Sequence, residues 1–252
     1  MEPSHKPAAP PTGSTSPSGN GERKSDPSVP GAAPAGTAVP RGATRAQVEQ
    51  AIRSSLLTGR FIPGKAVTLR GLAAELGVSP MPVREVIQRL AAEHALVVKS
   101  NGRVQVPEMT GARFDEILKA RLLLEPEVAA MALPNLTKAD ADRLLRIDLD
   151  IDRCLGSGDA VGYMTLNHQF HFHMYRASGS QILLPLVESL WLQFGPYMRM
   201  VYGRVGTANL VDWHKQALRA IDTRDATALR QAIASDISDG MGMLGRDGLP
   251  NP

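Results

Sequence analysis

Four polar residues stand where packed helices want apolar ones, and they are of types that hold a divalent ion. In the segment "MTLNHQFHFHMY", Asn167 and His171 lie one helical turn apart beside Met164 and Met174. His214 shares a helical face with Leu210, Ala217 and Ile221, and Asp236 shares one with Leu229, Ile233 and Gly240. Spacing of three and four residues turns all four inward. A buried charge must be paired or coordinated. Two imidazoles, a carboxylate and an amide converging inside a bundle suit an octahedral or trigonal-bipyramidal divalent ion with open positions, with Zn, Ni and Mn undistinguished. Arg121 falls on one face with Ile117, Leu124 and Val128. It is suited either to grip a ligand carboxylate with two parallel hydrogen bonds or to pair with Glu125 one turn on. Spacing alone leaves open two blander outcomes: histidines satisfied within the core, and a metal-free pocket that holds an effector by hydrogen bonds. His168 and His173 lie on other faces and read as surface or packing residues, and Trp191, Phe194 and Tyr197 as core or pocket wall.

The elements that must position these residues are helices. Apolar-periodic segments cover 112–133, 138–155, 160–177, 181–200, 209–222 and 226–243, with Thr137, Asp159, Ser180 and Asp225 at N-cap positions. Short connections between them predict an all-helical antiparallel bundle over 110–245.

Residues 44–107 read differently. Val48, Ile52 and Leu56 recur at helical spacing and Gly59 ends that helix; "FIPGKAVT" forms a turn, and Thr68 caps a second helix. Gly77 supplies the left-handed residue that stops it, and Ser79 caps the next helix two residues later. In "GVSPMPVREVIQRLAAE" (77–93), Pro80 and Pro82 fall at the first and third helical positions, whose N–H groups have no intrahelical acceptor. Proline costs little there and stiffens the entrance of the helix. Val83, Ile87 and Leu90 face inward, leaving Met81, Arg84, Glu85 and Gln88 outward. Then "LVVKSNGRVQV" places β-branched runs around Asn101-Gly102, a hairpin signal. Helices followed by a hairpin predict a winged helix-turn-helix.

The totals agree. The 252 residues are 43% hydrophobic, enough for a core, and no apolar run approaches the roughly 18 residues of a membrane span. There is no signal-peptide pattern, and the single Cys154 excludes an internal disulfide or a thiolate metal cluster, so a cytoplasmic location is expected. Residues 1–43 hold nine of the 19 prolines and no aromatic residue, which predicts a disordered tail. Residues 44–107 hold nine Lys/Arg against four Asp/Glu, whereas 108–252 hold 15 against 18. A basic segment beside an acidic remainder suits one part that meets phosphate and another that does not.

Residues 48–107 resemble the DNA-binding domain of the GntR family of bacterial transcription regulators, through "IRSSLLTGRFIPG", "LRGLAAELGVSPMPVREVIQRLAAEHALV" and the hairpin at "NGRV". The resemblance implies DNA contacts by Arg70, Ser79, Met81, Arg84 and the wing glycine Gly102. Lys99 and Arg103 on the wing are expected to meet the DNA backbone. Many members carry arginine after the cap serine; here it is Pro80, which alters the expected half-site. Residues 112–240 resemble the helical ligand-binding domain, often called FCD, of the branch named for the fatty-acid regulator. His171 and His214 match its first two histidines, Asn167 stands where an aspartate is usual, and Asp236 stands where the last histidine is usual. The resemblance implies an effector site at Arg121, Asn167, His171 and His214 and a metal site at Asn167, His171, His214 and Asp236. The expected protein is a ligand-responsive repressor that senses a small carboxylate metabolite, a homodimer on a palindromic double-stranded operator. The alternative, a metal-dependent hydrolase at the His/Asp site, needs a general base beyond Asp236 and leaves the helix-turn-helix unexplained.

Overall fold

The computed structural model describes residues 39–40, 43–205 and 212–245. The expected tail, up to residue 38, and the start of the segment at 209–222 lie outside them.

Helix α1 (Arg45–Leu57) starts from a capping box between Thr44 and Gln47. Strand β1 (Val67–Thr68) leads into α2 (Leu69–Leu76), which Thr68 caps and Gly77 ends at φ 70°. Helix α3 (Pro80–Ala92) begins at the proline pair as expected, but Ser79 makes no side-chain cap bond. The reason is chemical: the usual donor is the N–H of the third helical residue, and that residue is Pro82. Val83, Val86, Ile87 and Leu90 of α3 are buried with Val48, Ile52 and Leu56 of α1 in one core. Each such side chain contributes roughly 1.5–3 kcal/mol by leaving water.

Strands β2 (Val97–Val98) and β3 (Arg103–Gln105) form the expected hairpin, pairing antiparallel at Val97↔Gln105 and Val98↔Val104. Its loop is Ser100–Gly102: the Gly102 N–H bonds the Lys99 carbonyl and the Lys99 N–H bonds the Arg103 carbonyl, with Gly102 at φ 73°. This is a turn closed by a left-handed glycine, one residue longer than a two-residue Asn-Gly hairpin. Sequence reading took Val67–Thr68 for turn; it pairs with β3 and makes the sheet three-stranded, in the order β1-β3-β2.

The helical part runs α4 (Gly111–Ala132), α5 (Lys138–Ser157), α6 (Ala160–Arg176), α7 (Leu183–Phe194), α8 (Met198–Val205), α9 (Trp213–Asp222) and α10 (Ala226–Gly242). Thr110, Thr137, Asp159, Asp212 and Asp225 cap α4, α5, α6, α9 and α10 through their side chains. The helix begins at Leu183, three residues after Ser180 and two later than expected, yet Ser180 Oγ still accepts from the Leu183 N–H at 3.0 Å. The single helix expected at 181–200 is divided by a 3₁₀ turn at Gly195–Tyr197. Pro196 cannot donate to the preceding turn, so the α-helix gives way there.

That turn is where the two parts meet. A Cβ on Gly195 would lie 2.9 Å from Leu57 Cα and 3.0 Å from the Leu56 carbonyl oxygen. Ser189 Oγ donates to the Glu93 carbonyl at 3.1 Å, Tyr197 Oη to the Pro107 carbonyl at 2.7 Å, and Arg113 to the His94 carbonyl at 2.9 Å. His168 stacks on Phe172 at 4.3 Å; burial lowers its pKa to about 4 and keeps the imidazole neutral. His173 lies 3.0 Å from Asp140.

Gly195→Ala should therefore lower stability by about 1–3 kcal/mol, since the new methyl meets backbone that cannot rotate away. Urea denaturation reads the loss directly. An unchanged midpoint would show that α1 slides freely over this turn.

Candidate functional site

Two surfaces concentrate the chemistry. On the winged part, Arg70 of α2, Ser79, Met81 and Arg84 at the start of α3, and Lys99, Gly102 and Arg103 of the wing are all exposed. Among the described residues no carboxylate pairs with Arg70, Arg84, Lys99 or Arg103, whereas the neighbouring Glu85 is held by Arg45 at 3.3 Å. Met81, 66% exposed, stands at the tip of the helix. An unpaired guanidinium, a free hydroxyl and a thioether on a stiffened first turn are what reading base edges in a major groove requires.

The second site lies inside the helical part, where α4, α5, α6, α7, α9 and α10 converge. His171, His214 and Asp236 meet, with donor atoms all within 4.8 Å of one another. His171 Nε2 lies 3.2 Å from Asp236 Oδ2 and His214 Nε2 lies 3.8 Å from Asp236 Oδ1. Asn167, one turn before His171, lines the same cavity as His214 and Asp236.

The proton positions follow from the surrounding hydrogen bonds. Glu125 is fully buried and accepts from Arg121 Nε at 2.6 Å, Tyr175 Oη at 2.9 Å and Trp191 Nε1 at 3.0 Å. Tyr175 spends its only proton on Glu125, so its oxygen accepts from His171 Nδ1 at 3.1 Å. In its neutral form His171 then turns the bare Nε2 toward Asp236. His214 Nδ1 lies 3.3 Å from Asp148 Oδ1, and a proton there leaves Nε2 bare as well. Both Nε2 atoms are buried without a hydrogen-bond partner among the described residues. Phe170 stacks on the His214 ring at 4.1 Å and fixes its plane.

Burial opposes charge on His214, but Asp148 and Asp236 outweigh it and raise the pKa. Burial likewise opposes charge on Asp236, yet the two imidazoles and Arg121 prevail and lower its pKa to about 2. Both shifts describe the metal-free site, in which a proton on the imidazoles is held against the Asp236 carboxylate; a divalent ion would take that proton's place. Ligands held at about 2.1 Å from one ion lie roughly 3.0–3.4 Å apart, close to the His171–Asp236 separation. The donor set fits a divalent cation, and the outward hydrogen bonds to Tyr175 and Asp148 are of the kind that orient metal-bound imidazoles.

The structure shows one of the two arrangements expected for Arg121 and adds a residue to the inward set. Arg121 is 5% exposed and committed to Glu125, the pairing alternative; it lines a small 40 Å³ chamber that shares Asn167 and Asp236 with the larger cavity. Asp148 of α5 was missed, so the inward set does contain a carboxylate besides Asp236. It sits behind His214, 1% exposed, where it orients the ring.

Comparison with known proteins adds a frame. Residues 44–106 match the sequence model described as bacterial regulatory proteins, gntR family, and residues 116–239 match that of the FCD domain. The HTH-type transcriptional regulator McbR of Escherichia coli (strain K12) is 29% identical over 201 residues, covering 79% of this chain and 91% of that protein. The solved structure of E. coli McbR/YncC superposes with a TM-score of 0.74 over 81% of this chain and 97% of that one. The gluconate operon transcriptional repressor of Bacillus subtilis (strain 168) is 25% identical, covering 79% of this chain and 84% of that protein.

Because Glu125 is the shared acceptor, Glu125→Ala should cost about 3–5 kcal/mol by leaving the Arg121 cation buried and unpaired. Guanidinium denaturation of the two proteins measures it. A loss under about 1 kcal/mol, the scale of an ordinary hydrogen bond, would remove Glu125 as the centre of the network.

Proposed function

The chain belongs to the GntR family of bacterial regulatory proteins and carries an FCD domain, and from that premise we propose that it is a transcriptional repressor controlled by a metabolite bound at a divalent ion. The DNA-binding surface is the exposed set on α2, α3 and the wing, with Arg84 and Met81 reading base edges and Arg70, Lys99 and Arg103 meeting phosphate. The gluconate repressor among its relatives supports a repressing role. Exposed Leu145 and Leu149, one turn apart on α5, support a homodimer, and a two-fold protein matches a palindromic operator.

One observation carries the sensing part: two buried imidazole nitrogens, without a hydrogen-bond partner among the described residues, face the Asp236 carboxylate. His171, His214 and Asp236 would hold the ion, with Asn167 as a further oxygen donor. When bound, the ion supplies a Lewis-acid centre with positions open to an effector's carboxylate or other oxygens. The protein supplies the rest. Tyr175 and Asp148 fix the tautomers, and Glu125 holds Arg121 beside the ligands as a neutral pair. Effector binding alters operator affinity to the extent that it favours one arrangement of the winged parts over another.

Arg84→Ala should cost about 1–3 kcal/mol on operator DNA selected from a random-sequence pool and far less on unselected DNA. Fluorescence anisotropy at one salt concentration compares the two; equal losses would reduce Arg84 to a phosphate contact. Removing metal with EDTA should lower the melting temperature of protein purified without chelator, and adding a divalent ion should restore it. His214→Ala should abolish that sensitivity while sparing ligand-free DNA binding, and Asn167→Asp should tighten the ion by adding an anionic oxygen. If elemental analysis finds no stoichiometric metal and added ions leave the melt unmoved, the metal site is wrong.

A further inference from the structure

We propose that the effector carries a protonated amine as well as the oxygens that would meet the ion, and that a plain carboxylic acid is not the ligand of this cavity. The metal reading above supplies the inner end of the site; the amine reading rests on the outer walls.

The cavity has a volume of about 290 Å³ and is lined by five aspartates: Asp148, Asp152, Asp212, Asp236 and Asp239. Among the described residues its lining contains no lysine or arginine. Lys215, at the rim, is the one cation close by among the described residues, and it bridges Asp152 at 3.2 Å and Asp212 at 2.5 Å. Arg121 lines only the small inner chamber and is spent on Glu125. Among the described residues, with the histidines neutral, five carboxylates against one ammonium give a formal charge of −4, and a divalent ion at the histidines would leave −2. A dicarboxylate entering this space meets a repelling field on every side but the innermost. An ammonium meets an attracting one.

An independent feature points to where such a group sits. Asp148 is 1% exposed; its Oδ1 faces His214, and its Oδ2 is buried with no hydrogen-bond partner among the described residues. Asp148, Asp152 and Asp212 bring carboxylate oxygens within 4.8 Å of one another. A buried carboxylate oxygen without a donor is costly, and an ammonium carries three donors. Lys215 already shows that this acidic cluster accepts one. Trp213 and Tyr163 also line the cavity, and Trp213 Nε1 donates to Asp239 Oδ2 at 2.7 Å, presenting aromatic surface beside the acids. Aromatic faces next to carboxylates favour an alkylammonium over a metal-like, fully hydrated cation. The chemistry fits a zwitterionic metabolite, oxygens inward and ammonium outward.

The full chain loaded with cobalt(II), whose visible bands report ligands entering the open positions, tests this with matched probes: 4-aminobutyrate against butyrate, and β-alanine against propionate. The amine-bearing member of each pair should bind at least about tenfold tighter, the order expected for one ammonium–carboxylate contact in a partly buried site. Asp239→Asn and Asp152→Asn, both at the open end, should shrink that ratio and raise affinity for the plain acids. Equal or tighter binding of the plain acids overturns the proposal. So do a ratio indifferent to both substitutions and the absence of binding by every probe at tens of millimolar. If cobalt does not load, the metal reading fails separately. The same pairs then test the outer walls by thermal shift of the metal-free protein, with the same ordering expected.

Discussion

A fully buried carboxylate, Glu125, organises the helical part. It accepts from Arg121, Tyr175 and Trp191, three side chains brought by α4, α6 and α7. An ionised group can be kept out of water only when its lone pairs are met in this way. The consequence extends one bond further. With its proton committed to Glu125, Tyr175 can only accept from His171, so Nδ1 of that imidazole is fixed as a donor and Nε2 is the nitrogen left for a ligand. A structural ion pair thereby sets the chemistry of a residue it does not touch. Asp148 plays the same part for His214.

The same logic separates what the sequence discloses from what it hides. His171, His214 and Asp236 are legible because each interrupts an apolar stripe at helical spacing. Their convergence depends on the packing of α6, α9 and α10, which no single stripe contains. Asp148 does sit on a face with Leu144 and Ile151, but the run "RIDLDIDR" alternates acid and apolar residue so regularly that a two-residue period masks the helical one. Arg121 was legible as inward, and its partner Glu125 was one of two readings; burial decides between them, because an arginine with no water needs a permanent counter-ion. The proline pair of α3 was legible from backbone chemistry alone. The missing cap bond of Ser79 follows from the same prolines. Two-residue strands leave no periodic trace, so β1 became visible only through its pairing with β3.

The two parts of the chain share one apolar core and are joined besides by close backbone packing and by hydrogen bonds to main-chain carbonyls. At Gly195 the 3₁₀ turn lies against the end of α1 with no room for a methyl group, and Ser189, Tyr197 and Arg113 donate to main-chain carbonyls of the winged part. Carbonyls keep their positions whatever side chains surround them. The Gly195 contact ties the turn to the end of α1, and the three hydrogen bonds tie α4, α7 and the turn to the segments that follow α3 and β3.

Helix α6 is placed to feel both ends of that connection. One of its faces carries Asn167 and His171 into the polar site. Another carries Thr165, His168 and Gln169 to a cleft of about 530 Å³ whose opposite wall is Glu49, Arg53 and Ser54 of α1. On the proposed reading, a cation held by His171, His214 and Asp236 would join α6, α9 and α10 through one set of ligands. The ion also lowers the charge of the cavity, so effector affinity and metal affinity are linked through one electrostatic field. An amine-bearing effector then gains on both sides, from the ion inward and from the aspartates outward. A ligand that met only the ion would leave Asp148 unmatched. The difference between those two cases is free energy available to shift α6 against α1, and a regulator needs nothing larger than that difference to couple its two sites.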